Sequence, residues 1–201
     1  MTILPFDEIN ALKGRLTVYF GEDGKVRKRK YLNDIIDELW DLFMLAYLNG
    51  FNATIGEMGK DAEPSTSAMY NAIFFPVAGE TWRDRVKNYV ENGGTLYDII
   101  RIAETDATRI YNQGALDAAK AIDAEDTAYK RWCTMLDDRV RDTHDYLEGM
   151  EVPINEDFYT FDGDHAPAPG MFSLPENNIN CRCVIEVIPA EQAALQHREV
   201  L

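Results

Sequence analysis

The chain has 201 residues, 46% of them apolar and 27% charged, with a formal net charge of −15. That balance suits one or two globular domains with a buried core, and no apolar run approaches the ~18 residues that cross a bilayer, so a membrane role is excluded. The acidity is lopsided: residues 1–94 carry 11 basic and 14 acidic side chains, residues 95–201 carry 9 and 21, so the second half repels phosphate and is disfavoured as a broad nucleic-acid surface.

The first eight residues, Met1 to Glu8, have neither the basic end nor the apolar centre of a signal peptide, which predicts a cytosolic product. Three cysteines without an export signal argue against a disulfide framework. Residues 7–15 read as a short helix. Leu16, Thr17, Val18, Tyr19 and Phe20 are β-type, and the turn residues Gly21 to Gly24 predict a hairpin into residues 25–31. Lys25, Arg27, Lys28, Arg29 and Lys30 place five cations in six positions. Such a run is ordinarily a solvated edge; its functional alternative is a contact to DNA or to an acidic partner.

Residues 31–52 carry Leu32, Ile35, Ile36, Leu39, Leu42, Phe43, Ala46 and Tyr47 at helical spacing, with Asn49 and Gly50 expected to weaken or end the helix. A second helix opens near Pro64 and is broken by Pro76. A third, over 81–91, buries Trp82, Val86 and Tyr89 and stops at Asn92, Gly93 and Gly94. The domain boundary is placed there, leaving a mainly helical domain over 1–94. Thr95 caps a long helix reaching about residue 122, striped by Leu96, Ile99, Ile100, Ala103, Ala107, Ile110 and Ala118.

Residues 129–136 then read as a strand. Residues 138–147 read as a short helix capped by Asp137 or Asp138 and stopped at Gly149. Residues 151–154 are extended, 162–170 are loop, and 183–188 form a Val/Ile-rich strand that ends at Pro189. A polar tail covers 191–201. The fold class is α+β: a helical N-terminal region, then a small antiparallel sheet pairing about 129–136 with 182–188 inside a domain over 95–190.

Two segments stand out. Trp132, Asp137, Arg139, Arg141 and His144 are followed by Leu147 and Gly149; about 30 residues later, beyond a Pro169-Gly170 pair, come Asn180, Cys181, Arg182 and Cys183. A connection that long inside a compact domain ordinarily closes over something, so the two segments are expected to meet. In this order, with the upstream run 102–109 and with Asn112 and Gly114, these residues resemble the phage Mu F-like head morphogenesis domain of tailed-phage minor head proteins. The resemblance spans roughly residues 95–190.

The resemblance implies a non-catalytic minor head protein acting in procapsid assembly, packaging or the virion interior. It implies portal, capsid or scaffolding protein as partner, and a place in the virion after assembly in the host cytoplasm. Some members of that family carry a fused toxin domain; this sequence ends soon after Cys183, and none is expected.

From the residues themselves, the motif is read as structural. Trp132 supplies an apolar wall, Arg139 pairs with the local aspartates, and Arg141 and Arg182 fork onto carboxylates or carbonyls such as Asp138. His144 hydrogen-bonds beneath the loop, Gly149 makes a left-handed turn, and Cys181 and Cys183 are small buried hydrophobes. No cofactor is expected. A zinc ion would use His144, Cys181, Cys183 and Cys133. It is set aside because Cys-x-Cys on a strand splays its sulfurs. Many members of the resembled family carry Cys-x-x-Cys where this chain has Arg141 and His144, and a guanidinium cannot bind a metal.

Two other readings stay open. One is a metal-dependent or thiol enzyme using His144 with Cys133 or the aspartates Asp137, Asp138, Asp142 and Asp145. It lacks a nucleophile turn, an H-E-x-x-H helix or a P-loop. The other is a DNA-packaging accessory factor binding through the five cations. His165 and His197 read as lone exposed histidines.

Overall fold

Two long helices crossing at glycines set the architecture. The computed structural model describes residues 6–124 and 127–196. The first part runs α1 (Phe6–Leu16), 3-10 turns at Thr17–Tyr19 and Arg29–Tyr31, α2 (Leu32–Met58), α3 (Thr66–Ile73), α4 (Trp82–Glu91) and α5 (Leu96–Ala121). The second runs β1 (Ala128–Cys133), α6 (Asp142–Asp145), β2 (Glu151–Pro153), β3 (Phe158–Tyr159), β4 (His165–Ala166), α7 (Pro175–Asn178), β5 (Val184–Pro189) and α8 (Ala190–Gln196). The order is α+β, as expected.

Helix α2 does not end at Asn49 or Gly50. It continues to Met58 and stops at Gly59, which is left-handed at φ 59. The reason is tertiary: a Cβ on Gly50 would lie 1.9 Å from the Tyr111 carbonyl oxygen, and one on Gly114 would lie 2.2 Å from that of Tyr47. The two bare backbones pack against each other, and that contact outweighs the ~1 kcal/mol that glycine costs a helix. Helix α4 is opened by Thr81 and Asp84, each accepting from the other's backbone N–H. In α5, Asp98 accepts from the Thr95 N–H at 2.8 Å. Helix α3 takes Ser65 as its cap, so Pro64 lies just outside it.

The expected hairpin over 16–31 is absent. Leu16 completes α1, and the Thr17 hydroxyl donates back to the Lys13 carbonyl. Helical hydrogen bonding therefore continues into the β-type run as a 3-10 turn. What remains is a bridge between Phe20 and Val26 and another between Lys25 and Thr95.

The three-stranded sheet has the order β2-β1-β5, antiparallel throughout. Register runs from Ala128 opposite Pro189 to Cys133 opposite Val184, so the expected pairing forms but stops at Cys133. Side chains alternate across β1: Ala128, Lys130 and Trp132 are buried on one face, and Cys133 packs on the other. Strands β3 and β4 form a two-stranded ribbon, and β4 lies inside the stretch 162–170 expected as plain loop. The short helix over 138–147 shrinks to α6, whose N-cap Arg141 makes no side-chain cap. Asp137 is used in a turn instead, accepting from the Arg139 N–H.

Two apolar cores result. The first gathers α1 to α5 around Leu39, Phe43, Tyr47, Trp82, Ile99 and Ile110, and it continues across residue 94. The second lies between the sheet, the end of α5 and the long loop, around Trp132, Leu147, Phe158, Phe172 and Ile185. Among the described residues no helix is long and apolar enough to cross a membrane. His197 and the tail beyond Gln196 lie outside the described residues.

Candidate functional site

The two motif segments meet under the long loop. Strand β1 carries Trp132, fully buried, into the second core. Its backbone is tied to the returning chain on both sides: the Trp132 N–H donates to Met150, and the Gly149 N–H donates to the Trp132 carbonyl. Gly149 is left-handed at φ 72, which lets the chain double back after α6. That turn seats His144 edge-on to the indole at 5.2 Å, with Phe172 at 5.5 Å behind it.

The imidazole faces sulfur. Nδ1 of His144 is 3.5 Å from Cys181 Sγ and 3.6 Å from Cys183 Sγ. All three side chains are buried. Strand β5 begins at Val184, after both cysteines, and Asn180 ahead of them is left-handed at φ 58. Because residues 181–183 are not strand, the sulfurs converge rather than splay. Cys133 is on the opposite face of β1, against the helical core, and takes no part.

Of the two thiols, Cys181 is held far below its ordinary pKa. The Cys183 thiol points at it and His144 adds to the pull, together outweighing burial. Cys183 is pushed up correspondingly, by donating to Cys181 and by burial. The Trp132 indole N–H makes no ordinary hydrogen bond, but it lies near enough to the Cys183 sulfur to favour its charged form. His144 Nε2 is buried without a partner.

The arginines close the outer side. Arg182 forks onto Asp137 at 2.8 and 2.5 Å, and this, with the Arg139 backbone N–H, holds the Asp137 carboxyl down to about 2. The expected acceptor Asp138 is replaced by its neighbour Asp137. Arg141 donates to carbonyls, Ile179 at 2.6 Å and Asn177 at 3.5 Å. Arg139 stays exposed with a longer pair to Asp137. Outside these contacts is an open cleft of about 740 Å³ lined by Tyr97, Glu104, Asp137 and the three arginines. The enzyme reading had His144 near Asp137, Asp138, Asp142 and Asp145; among the described residues none of these hydrogen-bonds the imidazole, whose partners are the two sulfurs.

Several residues that organise the site were not singled out as site residues from sequence. Asn112 of α5, fully buried, donates to the carbonyls of Pro169 and Cys183 and accepts from the Ile185 N–H. It fastens the loop and the start of β5 to the helix; its signal was a polar residue inside an apolar stripe. Asp164 is the loop's hub, accepting from Ser173 Oγ at 2.7 Å and from Leu174 N and Asn177 Nδ2. Burial opposes its ionisation, but these donors prevail and hold it down to about 2. Lys130 is fully buried with no hydrogen-bond partner, 5.4 Å over the Phe158 ring. His165, read as a lone exposed histidine, is exposed but pairs with Asp157 at 2.7 Å.

The five N-terminal cations do not gather into one free patch. All are exposed, yet Arg29 pairs with Glu91, and Arg27 Nε donates to the Phe20 carbonyl at 2.6 Å.

Comparison with known proteins places this arrangement. The family described as Phage Mu protein F like protein matches residues 76–186. NAD(+)--arginine ADP-ribosyltransferase EFV of Enterococcus faecalis is 37% identical over 102 residues, covering 49% of this chain and 20% of that protein. Minor head protein GP7 of Bacillus phage SPP1 is 31% identical over 90 residues, covering 44% of this chain and 29% of that protein. The chain thus spans less than a third of the length of these curated relatives. No solved structure matches it. The family match takes in more than half of the sequence and every residue of the buried knot from Trp132 to Cys183, and the chain belongs to the phage Mu protein F-like family.

Proposed function

We propose that this chain is a minor head protein of a phage or prophage, acting without catalysis in head morphogenesis. Its partner on this reading is portal, capsid or scaffolding protein, and its place is the virion, after procapsid assembly in the host cytoplasm. The observation that carries the proposal is the family match over residues 76–186, joined to identity with a protein named as a minor head protein.

The geometry agrees with a scaffold. Trp132 and His144 are sealed in the core, Arg182 is spent on Asp137, and Arg141 is spent on backbone carbonyls. A thiol–base pair of Cys133 and His144 is incompatible with their opposite faces of β1. The alignment to the ADP-ribosyltransferase reaches 20% of that protein, so its name speaks mainly for sequence that has no counterpart in the match. The open cleft beside the arginines is the part of the motif left for a partner to contact. DNA contact through Lys25, Lys28 and Lys30 is subsidiary, since two of the five cations are committed within the fold.

The test is particle composition and yield. The chain is expected in gradient-purified virions or procapsids by mass spectrometry, and deleting its gene is expected to cut the yield of filled heads. Co-purification with portal, capsid or scaffolding protein identifies the partner. A chain missing from particles and from assembly intermediates, with undiminished yield after deletion, overturns the proposal. Purified protein given NAD⁺ and an arginine substrate is expected to release no nicotinamide; release above buffer overturns the non-catalytic part alone.

A further inference from the structure

We infer that His144, Cys181 and Cys183 hold a zinc ion. The inference is independent of the head-protein reading and rests on where three atoms lie. Nδ1 of His144 and the two sulfurs all lie within 4.8 Å of one another, and all three residues are buried. Zinc bonds of ~2.3 Å to sulfur and ~2.0–2.1 Å to nitrogen, at a tetrahedral angle, set nitrogen and sulfur about 3.6 Å apart. The observed separations are 3.5 and 3.6 Å. An imidazole and two thiolates are the donor set zinc prefers over magnesium or calcium.

The objection that the two sulfurs splay apart on a strand does not survive the fold. It required residues 181–183 to be strand, whereas β5 begins at Val184. Two thiolates cancel the ion's charge, which removes the cost of burying them uncompensated. Trp132 and Phe172 wall the imidazole and fix its ring plane, so Nδ1 stays aimed at the sulfurs. Nε2 would carry the proton and face aromatic rings, which explains a buried nitrogen with no conventional partner.

Cys133, on the other face of β1, supplies no fourth ligand. A narrow cleft reaches the cluster between Arg141, Asn180 and Arg182 and has about 10 Å³ of room. That is roughly one water molecule, which would complete a four-coordinate site. The ion's work is then to tie α6 to the entry of β5 across 37 residues of chain.

The experiment is metal content and cobalt substitution on the full chain, purified without chelator from zinc-supplemented cells. One zinc per chain is expected by elemental analysis. Cobalt(II) added to the stripped protein should give the intense visible absorption of a tetrahedral thiolate site. Cys181→Ser with Cys183→Ser should lose both signals, and Cys133→Ser should keep them. Metal-free protein that gives no cobalt absorption, or full binding by the double variant, overturns the inference. Should the double variant fail to fold, cysteine alkylation of the wild-type chain decides. Chelator should unmask Cys181 and Cys183 and leave Cys133 unchanged; labelling that ignores chelator overturns the site.

Discussion

The two halves of this molecule are held together by different physics. In the helical half, apolar stripes on α1 to α5 bury against one another, around a buried ion cluster of Arg85, Asp106 and Arg109. In the sheet half, short strands and a long loop enclose a smaller core, stitched by buried polar contacts at Asn112, Asp164, Asn178 and the His144–cysteine cluster. The contrast teaches that a core built from long helices draws most of its stability from apolar packing along their length. A core closed by a loop depends on each of its buried polar contacts, because every buried donor left open costs ~1–3 kcal/mol.

The largest effect should come where the helices touch. Gly50→Ala puts a methyl 1.9 Å from a backbone oxygen, and neither helix can yield without separating. A loss of about 4 kcal/mol or more is expected in urea unfolding. Gly56, six residues on in the same helix, has nothing within 4 Å of an added Cβ, so Gly56→Ala should instead gain roughly 0.5–1 kcal/mol. Equal effects at the two sites would show that the crossing is not close. Next comes Asn112→Ala, which strands one N–H and two carbonyls in the core. The expected cost is about 3 kcal/mol, with amide exchange rising first in residues 165–189. A uniform rise over α2 as well would erase the distinction between the halves.

Lys130 sharpens the contrast from the other direction, because here a buried polar group is unpaired. Burial pushes its ammonium down to about 8, against weak support from Asp157 and Glu156. Between that value and the ordinary 10.5, the unfolded chain binds a proton that the folded chain refuses. The Lys130 contribution to stability is therefore lowest and flat below pH 8, and it climbs as pH rises toward 10.5. At ~1.4 kcal/mol per pH unit the cost at neutral pH is about 3 kcal/mol. Lys130→Met should raise stability by about that amount at pH 7 and abolish the climb. A variant no more stable than wild type would mean that Lys130 is paired or hydrated.

What could be read from sequence follows the same division. Helices α2, α4 and α5 were legible because a 3.6-residue stripe reports one-sided burial, and β5 was legible from its Val and Ile content. Gly50 was read as weakening or ending α2, because local propensity carries no information about a helix arriving from about 60 residues away. Residues 16–20 were misread as strand because their β-type side chains say nothing of the helical hydrogen bonds already running into them. In the site, the meeting of Trp132 and His144 with Cys181 and Cys183 was foreseeable from motif order. The convergence of the sulfurs was not, since it depends on Asn180 turning left-handed before the strand starts. Asn112 acts through backbone groups, which every residue has, so no pattern of side chains reveals its partners.

The smallest expected effect tests whether burial, rather than the presence of a polar contact, makes the difference. Arg29 and Glu91 form a direct ion pair joining the N-terminal segment to α4, 62 positions apart. By sequence separation it rivals the Asn112 contacts. But the Arg29 side chain is 77% exposed, so its charge keeps most of its water and salt screens what remains. Arg29→Ala should change unfolding free energy by less than about 0.5 kcal/mol, and 0.5 M salt should remove even that. A loss near 2 kcal/mol would put this exposed tie on a par with the buried ones. Distance along the chain, not solvent, would then be what gives the loop-closing contacts their weight.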